Sequence, residues 1–140
     1  MKFTELELEA EILKALKEIG YEDMTPIQEL TMPHIVAGRD LLGLAETGSG
    51  KTGACAVPLI QRVDATTNAI QTLILVPTRE LALQYVQEID SIATHTEIVP
   101  FAVFGGFDMG IQRAKLRHGV HILVATPGRL IDFLWNTDLV

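Results

Sequence analysis

The chain has 140 residues, 48% hydrophobic and 21% charged, the balance of a soluble globular protein and not of a disordered tail. Eleven Lys and Arg against 18 Asp and Glu leave a net charge of −7, which excludes bulk attraction of nucleic acid and requires any such site to be local. The single cysteine, Cys55, excludes an internal disulfide and, without His or Cys neighbours at ligand spacing, argues against structural zinc.

The length fits one domain. The N-terminus, MKFTELELEAEIL, carries acids throughout and no apolar h-region, and no apolar run approaches the roughly 20 residues of a membrane span. A reducing, cytoplasmic setting is the default expectation.

In chain order, residues 4–19 predict an amphipathic helix, with Thr4 and Glu7 as a capping box, Leu8, Ile12, Leu13, Leu16 and Ile19 on one face, and Gly20 as its stop. Thr25 and Pro26 read as N-cap and first residue of a second helix, which Pro33 kinks or divides and Gly38 closes. From Asp40 the pattern changes: LLGLA reads as a short buried strand and SGKTGACAVPLIQRV as a helix strained by Pro58. TLILV is a strand, RELALQYVQEIDSIATH a helix, IVPFAVF a strand, MGIQRAKLR a helix, HILVAT a strand, and RLIDFLW opens a final helix. Four strand-then-helix units in succession predict an α/β fold with a mainly parallel sheet whose strands are apolar because both faces are covered. DATTNAIQ is a loop. Phe133 and Trp135 are expected to pack the last helix onto the sheet or onto residues beyond the chain, and His118 and His121 are read as structural.

The octet AETGSGKT, from Ala45 through Glu46, Thr47, Gly48, Ser49 and Gly50 to Lys51 and Thr52, falls between a predicted strand and a predicted helix. A loop there turns backbone N–H groups onto clustered phosphate oxygens, and the helix dipole favours the same charge. Gly48 and Gly50 permit close approach, Lys51 reaches the β and γ oxygens, and the Thr52 hydroxyl joins the coordination of Mg²⁺. Ala45 stands where the strict pattern has Gly. Upstream, in GYEDMTPIQ, the Gln28 amide is both donor and acceptor, which suits the N6/N7 edge of adenine and mismatches guanine. The bland alternative is a solvated glutamine on an exposed helix face.

Phe3, Gly20-Tyr21 and Thr25-Pro26-Ile27-Gln28, followed by AETGSGKT, PTRELA, GG and TPGR, resemble the ordered N-terminal motifs of DEAD-box ATP-dependent RNA helicases over nearly the whole chain, Phe3 to Arg129. The resemblance implies a RecA-like P-loop fold, with residues 1–38 as an adenine-recognition segment and 39–140 as a partial ATP-binding domain. It implies that the Thr25–Gln28 segment reads adenine, that Ala45–Thr52 hold the phosphates, and that an aromatic lies near the base, for which Phe3 and Tyr21 are the candidates. Lys51 and Thr52 are the residues expected to serve catalysis.

Parallel strands deliver their following loops to one carboxyl edge, where ligands settle in open α/β folds. Pro77, Thr78, Arg79 and Glu80 follow one predicted strand, Gly105 and Gly106 the next, and Thr126, Pro127, Gly128 and Arg129 the last. Helix N-termini with free N–H groups, Thr78 and Thr126 as caps or phosphate donors, and the guanidinium forks of Arg79 and Arg129 together can grip a sugar-phosphate backbone without reading sequence. The alternative is that these motifs merely start helices.

Phosphoryl transfer further needs an acidic residue at a strand end for Mg²⁺, a group that orients water, and an arginine at the γ-phosphate. No apolar strand of this chain ends in Asp. The family's Asp-Glu-Ala-Asp motif and its second RecA-like domain are expected beyond Val140, so the chain is read as a first domain that binds nucleotide without efficient turnover. The competing readings are a non-catalytic nucleotide-dependent switch, a DNA helicase and a GTPase.

Overall fold

Three short apolar runs form a wholly parallel sheet in the order β1-β3-β2, with β1 Thr72–Leu75, β2 Pro100–Val103 and β3 Ile122–Ala125. The computed structural model describes residues 1–46, 50–106 and 108–136. Along β3 the register sets Thr72 and Pro100 opposite Ile122, and Leu75 and Val103 opposite Ala125, so the three strands end level. The central strand, ILVA, is buried at every position, as a parallel strand covered on both faces must be. Val103, Leu123, Ala125, Leu130 and Phe133 form one core cluster against it.

The polypeptide groups into two units, Met1–Val63 with Glu88–Glu97, and Asp64–Gln87 with Ile98–Val140. The first is helical: α1 Ala10–Glu18, α2 Pro26–Val36 and α3 Lys51–Arg62. The second holds the sheet with α5 Met109–His118 and α6 Pro127–Trp135, while α4, Arg79–Ile92, contributes residues to both.

Local signals account for most boundaries. Gly20 and Gly38 adopt left-handed φ values of 82° and 79° and close α1 and α2, their following N–H groups returning to Leu16 and His34 carbonyls. Pro26 opens α2 behind Thr25, and Pro127 opens α6 behind Thr126. Neither Pro33 nor Pro58 divides its helix: α2 and α3 run on through them, and Pro58 is buried.

Three expectations are corrected. The first helix begins at Ala10 and not at Thr4; Phe3–Glu5 form a single 3-10 turn, Leu6 is extended, and Glu9 is the N-cap. The alternating ELELE stretch has the period of extended chain, with Leu6 and Leu8 half-buried between exposed glutamates, and this outweighs the Thr4/Glu7 capping pattern. The LLGLA segment is not a strand: residues 41–46 carry no strand pairing, and Leu42 and Leu44 are almost fully exposed. A strand is held by ladder bonds to a neighbour, and among the described residues nothing supplies that ladder here. The sheet therefore has three strands and not four, and its β1 edge keeps Leu73 and Leu75 about half exposed instead of covered. At the far end, Phe133 is buried as expected, but Trp135 is 82% exposed.

Candidate functional site

In the first unit, Gly50 is the N-cap of α3 with φ 94°, a left-handed conformation that a β-carbon disfavours. A β-carbon at Gly50 would also lie 2.6 Å from Thr25 Oγ1 and 2.9 Å from Gln28 Nε2. The absent side chain is therefore what lets the Thr25–Gln28 segment close onto Gly50 at the start of α3. Gln28 is not a solvated surface residue: it is 4% exposed, its Oε1 accepts from the Thr25 N–H at 3.0 Å, and its Nε2 donates to the Gly50 carbonyl at 3.2 Å. Thr25 Oγ1 is buried and has no hydrogen-bond partner among the described residues.

Lys51 and Thr52 form the first turn of α3, where helical N–H groups lack intrahelical acceptors. The exposed Lys51 side chain folds back so that Nζ donates to the Ala45 carbonyl at 2.7 Å. Among the described residues its ammonium is held by one neutral oxygen. Glu46 is exposed and Thr52 half-buried; Thr47, Gly48 and Ser49, the centre of the predicted cradle, lie outside the described residues.

The two candidate aromatics stack on each other, with ring centroids 6.0 Å apart and planes at 24°. Phe3 is buried, and both rings wall an open cavity of about 580 Å³ rimmed by Lys2, Lys14 and Lys17. The Tyr21 hydroxyl donates to Glu88 at 2.6 Å. Burial first, then the hydrogen bond to the Glu88 carboxylate and its charge, push the Tyr21 phenol up to about 12. Sequence reasoning missed Glu88, whose signal is its place on the inner side of α4 one turn before Ile92, itself buried. Burial also pushes the Cys55 thiol up, keeping it a small neutral packing residue.

In the second unit the sheet register places the segments after β1, β2 and β3 at one edge. The Val76 N–H bonds the Ala125 carbonyl at 3.0 Å and the Thr126 N–H bonds the Val103 carbonyl at 3.1 Å, so Pro77, Phe104 and Pro127 leave that edge together. Thr78 Oγ1 accepts from the Leu81 N–H at 3.2 Å and caps α4, whereas Thr126 makes no side-chain cap. Arg79 is an open fork: its side chain is 54% exposed, pairs loosely with Glu80 at 3.7 Å, and lies beside Gly106. Arg129 is different. Its side chain is 12% exposed, with Nε 3.8 Å from Asp132 and Nη1 donating to Gln112 Oε1 at 3.2 Å.

Gln112 is the second residue that sequence reading passed over. It is fully buried, and the signal was available: in MGIQRAKLR it shares the apolar face with Met109 and Leu116. His121 is structural, its Nδ1 accepting from the Val99 N–H at 2.9 Å. Among the described residues no helix is long and apolar enough to cross a membrane.

The chain is similar to known proteins over most of its length. The family profile described as DEAD/DEAH box helicase matches residues 25–139. The chain is 41% identical over 138 residues to the ATP-dependent RNA helicase DeaD of Mycobacterium tuberculosis, a match covering 98% of this chain and 24% of that protein. It is 47% identical over 133 residues to DeaD of Escherichia coli, covering 94% and 21%, and 41% identical over 133 residues to the ATP-dependent RNA helicase CshA of Listeria monocytogenes, covering 95% and 26%. It therefore spans about a quarter of the length of these relatives. The crystal structure of a DEAD box protein from the hyperthermophile Methanococcus jannaschii superposes with a TM-score of 0.94 at 37% identity, over 100% of this chain and 38% of that one. With the profile covering most of its length and a solved structure following its backbone throughout, the chain belongs to the DEAD/DEAH box helicase family.

Proposed function

We propose that this chain is the ATP- and RNA-binding part of an ATP-dependent RNA helicase that unwinds or remodels RNA in the cytoplasm. Residues 1–38 serve as its adenine-recognition segment and residues 39–140 as part of a RecA-like domain that works with a second such domain. The observation that carries the reading is the seating of the Gln28 amide on the Gly50 carbonyl, which joins a base-reading side chain to the first turn of the helix behind the phosphate loop. The relatives named as ATP-dependent RNA helicases support it.

The residues present fit a nucleoside triphosphate with Mg²⁺. The α3 N-terminus, which starts behind Gly50, offers N–H groups that lack intrahelical acceptors. The Lys51 ammonium rests on the neutral Ala45 carbonyl, which phosphate oxygens outcompete. In this reading Lys51 neutralises the terminal phosphates, Thr52 contributes its hydroxyl to the Mg²⁺ shell, Gln28 selects adenine, and Phe3 or Tyr21 lies near the base. The nucleotide, when bound, supplies the phosphoryl bond whose hydrolysis drives remodelling. The chain alone binds it without efficient turnover.

On the sheet edge of the second unit, Pro77–Glu80, Gly105-Gly106 and Thr126–Arg129 hold single-stranded RNA by its backbone, without base sequence preference. Arg79, open and beside Gly106, is the cation placed for a phosphate.

The test is a pair of competitions on the chain. A fluorescent ATP analogue is displaced by ATP or by GTP, and a labelled uridine decamer by RNA or by the matching DNA. Preference for ATP and for RNA is expected. A GTP preference removes Gln28 from its role, equal affinity for DNA removes the RNA assignment, and tight ATP binding without any RNA binding favours a nucleotide-dependent switch.

A further inference from the structure

A buried primary amide is costly unless its donor and acceptor are both engaged. Gln112, 0% exposed, meets that condition with partners from two different segments: Nε2 donates to the Phe104 carbonyl at 3.1 Å, and Oε1 accepts from Arg129 Nη1 at 3.2 Å. Phe104 leads directly into Gly105-Gly106, and Arg129 ends the Thr126-Pro127-Gly128-Arg129 run in the first turn of α6. One side chain of α5 therefore bonds the segments that follow β2 and β3. Its own helix is fixed by Asp108, which caps α5 by accepting from the Ile111 N–H at 2.9 Å.

Arg129 directs its guanidinium inward. Its side chain is 12% exposed and turned to Gln112 and Asp132, whereas Arg79 on the same sheet edge is 54% exposed. Two arginines that look alike in the sequence thus differ in what they offer a ligand.

We propose that Gln112 and Arg129 form a brace that fixes the spacing between the Gly105-Gly106 turn and the N-terminus of α6, so that both present backbone N–H groups to one ribose-phosphate chain. Gln112 is a positioning residue, and Arg129 acts through the brace and not as a phosphate ligand. The proposal rests on the RNA reading above and extends it. Preorganised donors bind without first being ordered, so loosening the brace weakens RNA binding while leaving the number of phosphates neutralised unchanged.

The experiment measures binding of a fluorescein-labelled uridine decamer by the chain across a salt series, for Gln112→Leu, Arg129→Met, their combination, Gln112→Glu and Arg79→Ala. Amide hydrogen exchange of Gly105, Gly106 and Gly128 is followed in the RNA-free chain. Gln112→Leu and Arg129→Met are each expected to weaken binding about tenfold, the pair together losing little more than either alone, because residues acting as one unit are non-additive. The slope of log affinity against log salt stays as in the parent. Arg79→Ala weakens binding and lowers that slope by about 1, the signature of a lost phosphate contact. Gln112→Glu, which keeps an acceptor for Arg129, recovers part of the loss, and Gln112→Leu speeds exchange at the three glycine amides.

A slope lowered by about 1 in Arg129→Met, fully additive losses, or unchanged exchange would each overturn the brace. If Gln112→Leu is too unstable to titrate, Gln112→Glu and Arg129→Met carry the same comparison. A chain that binds no RNA at all sinks the RNA reading instead and leaves the exchange measurement to decide the brace.

Discussion

Gln28 and Gly50 are joined by a hydrogen bond of 3.2 Å from side-chain amide to backbone carbonyl, and the other end of the same amide accepts from the Thr25 N–H at 3.0 Å. These two bonds fix which way the amide faces and engage one N–H and one lone pair; under the proposed function the remaining N–H and lone pair are what meet adenine and mismatch guanine. Gln28→Glu replaces the donor with a carboxylate facing a carbonyl. Preference for ATP over GTP should collapse, and stability should fall by about 1–3 kcal/mol because a buried polar contact is lost. Nucleotide competition and urea denaturation of the variant read both effects; selectivity that survives removes Gln28 from base recognition.

Gly50→Ala tests the same junction from the other side. The left-handed φ of 94° costs a β-carbon about 1–2 kcal/mol, and the nearest atom, Thr25 Oγ1 at 2.6 Å, must also move. Gly128, in the first turn of α6, has no described residue within 4 Å of its β-carbon position, so Gly128→Ala should be neutral or slightly stabilising through helix propensity. Thermal unfolding of the two variants separates them, and equal melting temperatures would contradict the packing described.

For Lys51→Ala the expectation is a clean split between stability and binding. The side chain is exposed and its bond to the Ala45 carbonyl is a surface contact, so unfolding free energy should stay within about 0.5 kcal/mol. Binding of a fluorescent ATP analogue should nevertheless be lost. A variant that binds as tightly as the parent would place the phosphates elsewhere.

What the sequence made legible is what local chemistry decides. Thr25-Pro26, Pro127, Gly20 and Gly38 set helix ends through their own dihedrals and missing donors, and they do so regardless of what surrounds them. What stayed illegible depends on partners distant in the chain. LLGLA has a strand's composition, yet a strand exists only against a neighbour, and the leucines stand in solvent. The burial of Gln28 and of Gln112 could not be read from the sequence, because burial of an amide is decided by carbonyls 22 and 8 residues away, at Gly50 and Phe104. Arg79 and Arg129 looked equivalent until Gln112 and Asp132 were seen to draw one of them inward.

The sheet supplies a paired stability test. Leu123 lies at the centre of β3 within the core cluster, and Leu123→Ala should cost about 2–5 kcal/mol from lost burial and the cavity left behind. Leu75, one strand over on the β1 edge, is already about half exposed, so Leu75→Ala should cost less than about 1.5 kcal/mol. Urea midpoints of the two variants measure the difference. Comparable losses would mean that the β1 face is covered in solution.

Tyr21 carries a pH dependence whose sign can be worked out from its surroundings. Burial, then the hydrogen bond to Glu88 and the nearby carboxylate charge, hold the folded-state phenol near 12, above the ordinary value of 10.0. The folded chain therefore keeps this proton more tightly than the unfolded chain, and the stability that follows is fully present below about pH 10 and lost as pH rises from there towards 12. Tyr21→Phe removes both the proton and the bond to Glu88. Below pH 10 the variant should be the less stable protein, by about 0.5–1.5 kcal/mol for one hydrogen bond to a half-buried acceptor, and the gap should narrow as pH climbs past 10. Tyrosinate absorbance assigns the titration, because the variant keeps only Tyr85 as a phenol. A parent whose two phenols both titrate near 10, or a stability gap that widens with rising pH, would show that the Tyr21–Glu88 contact does not persist in solution.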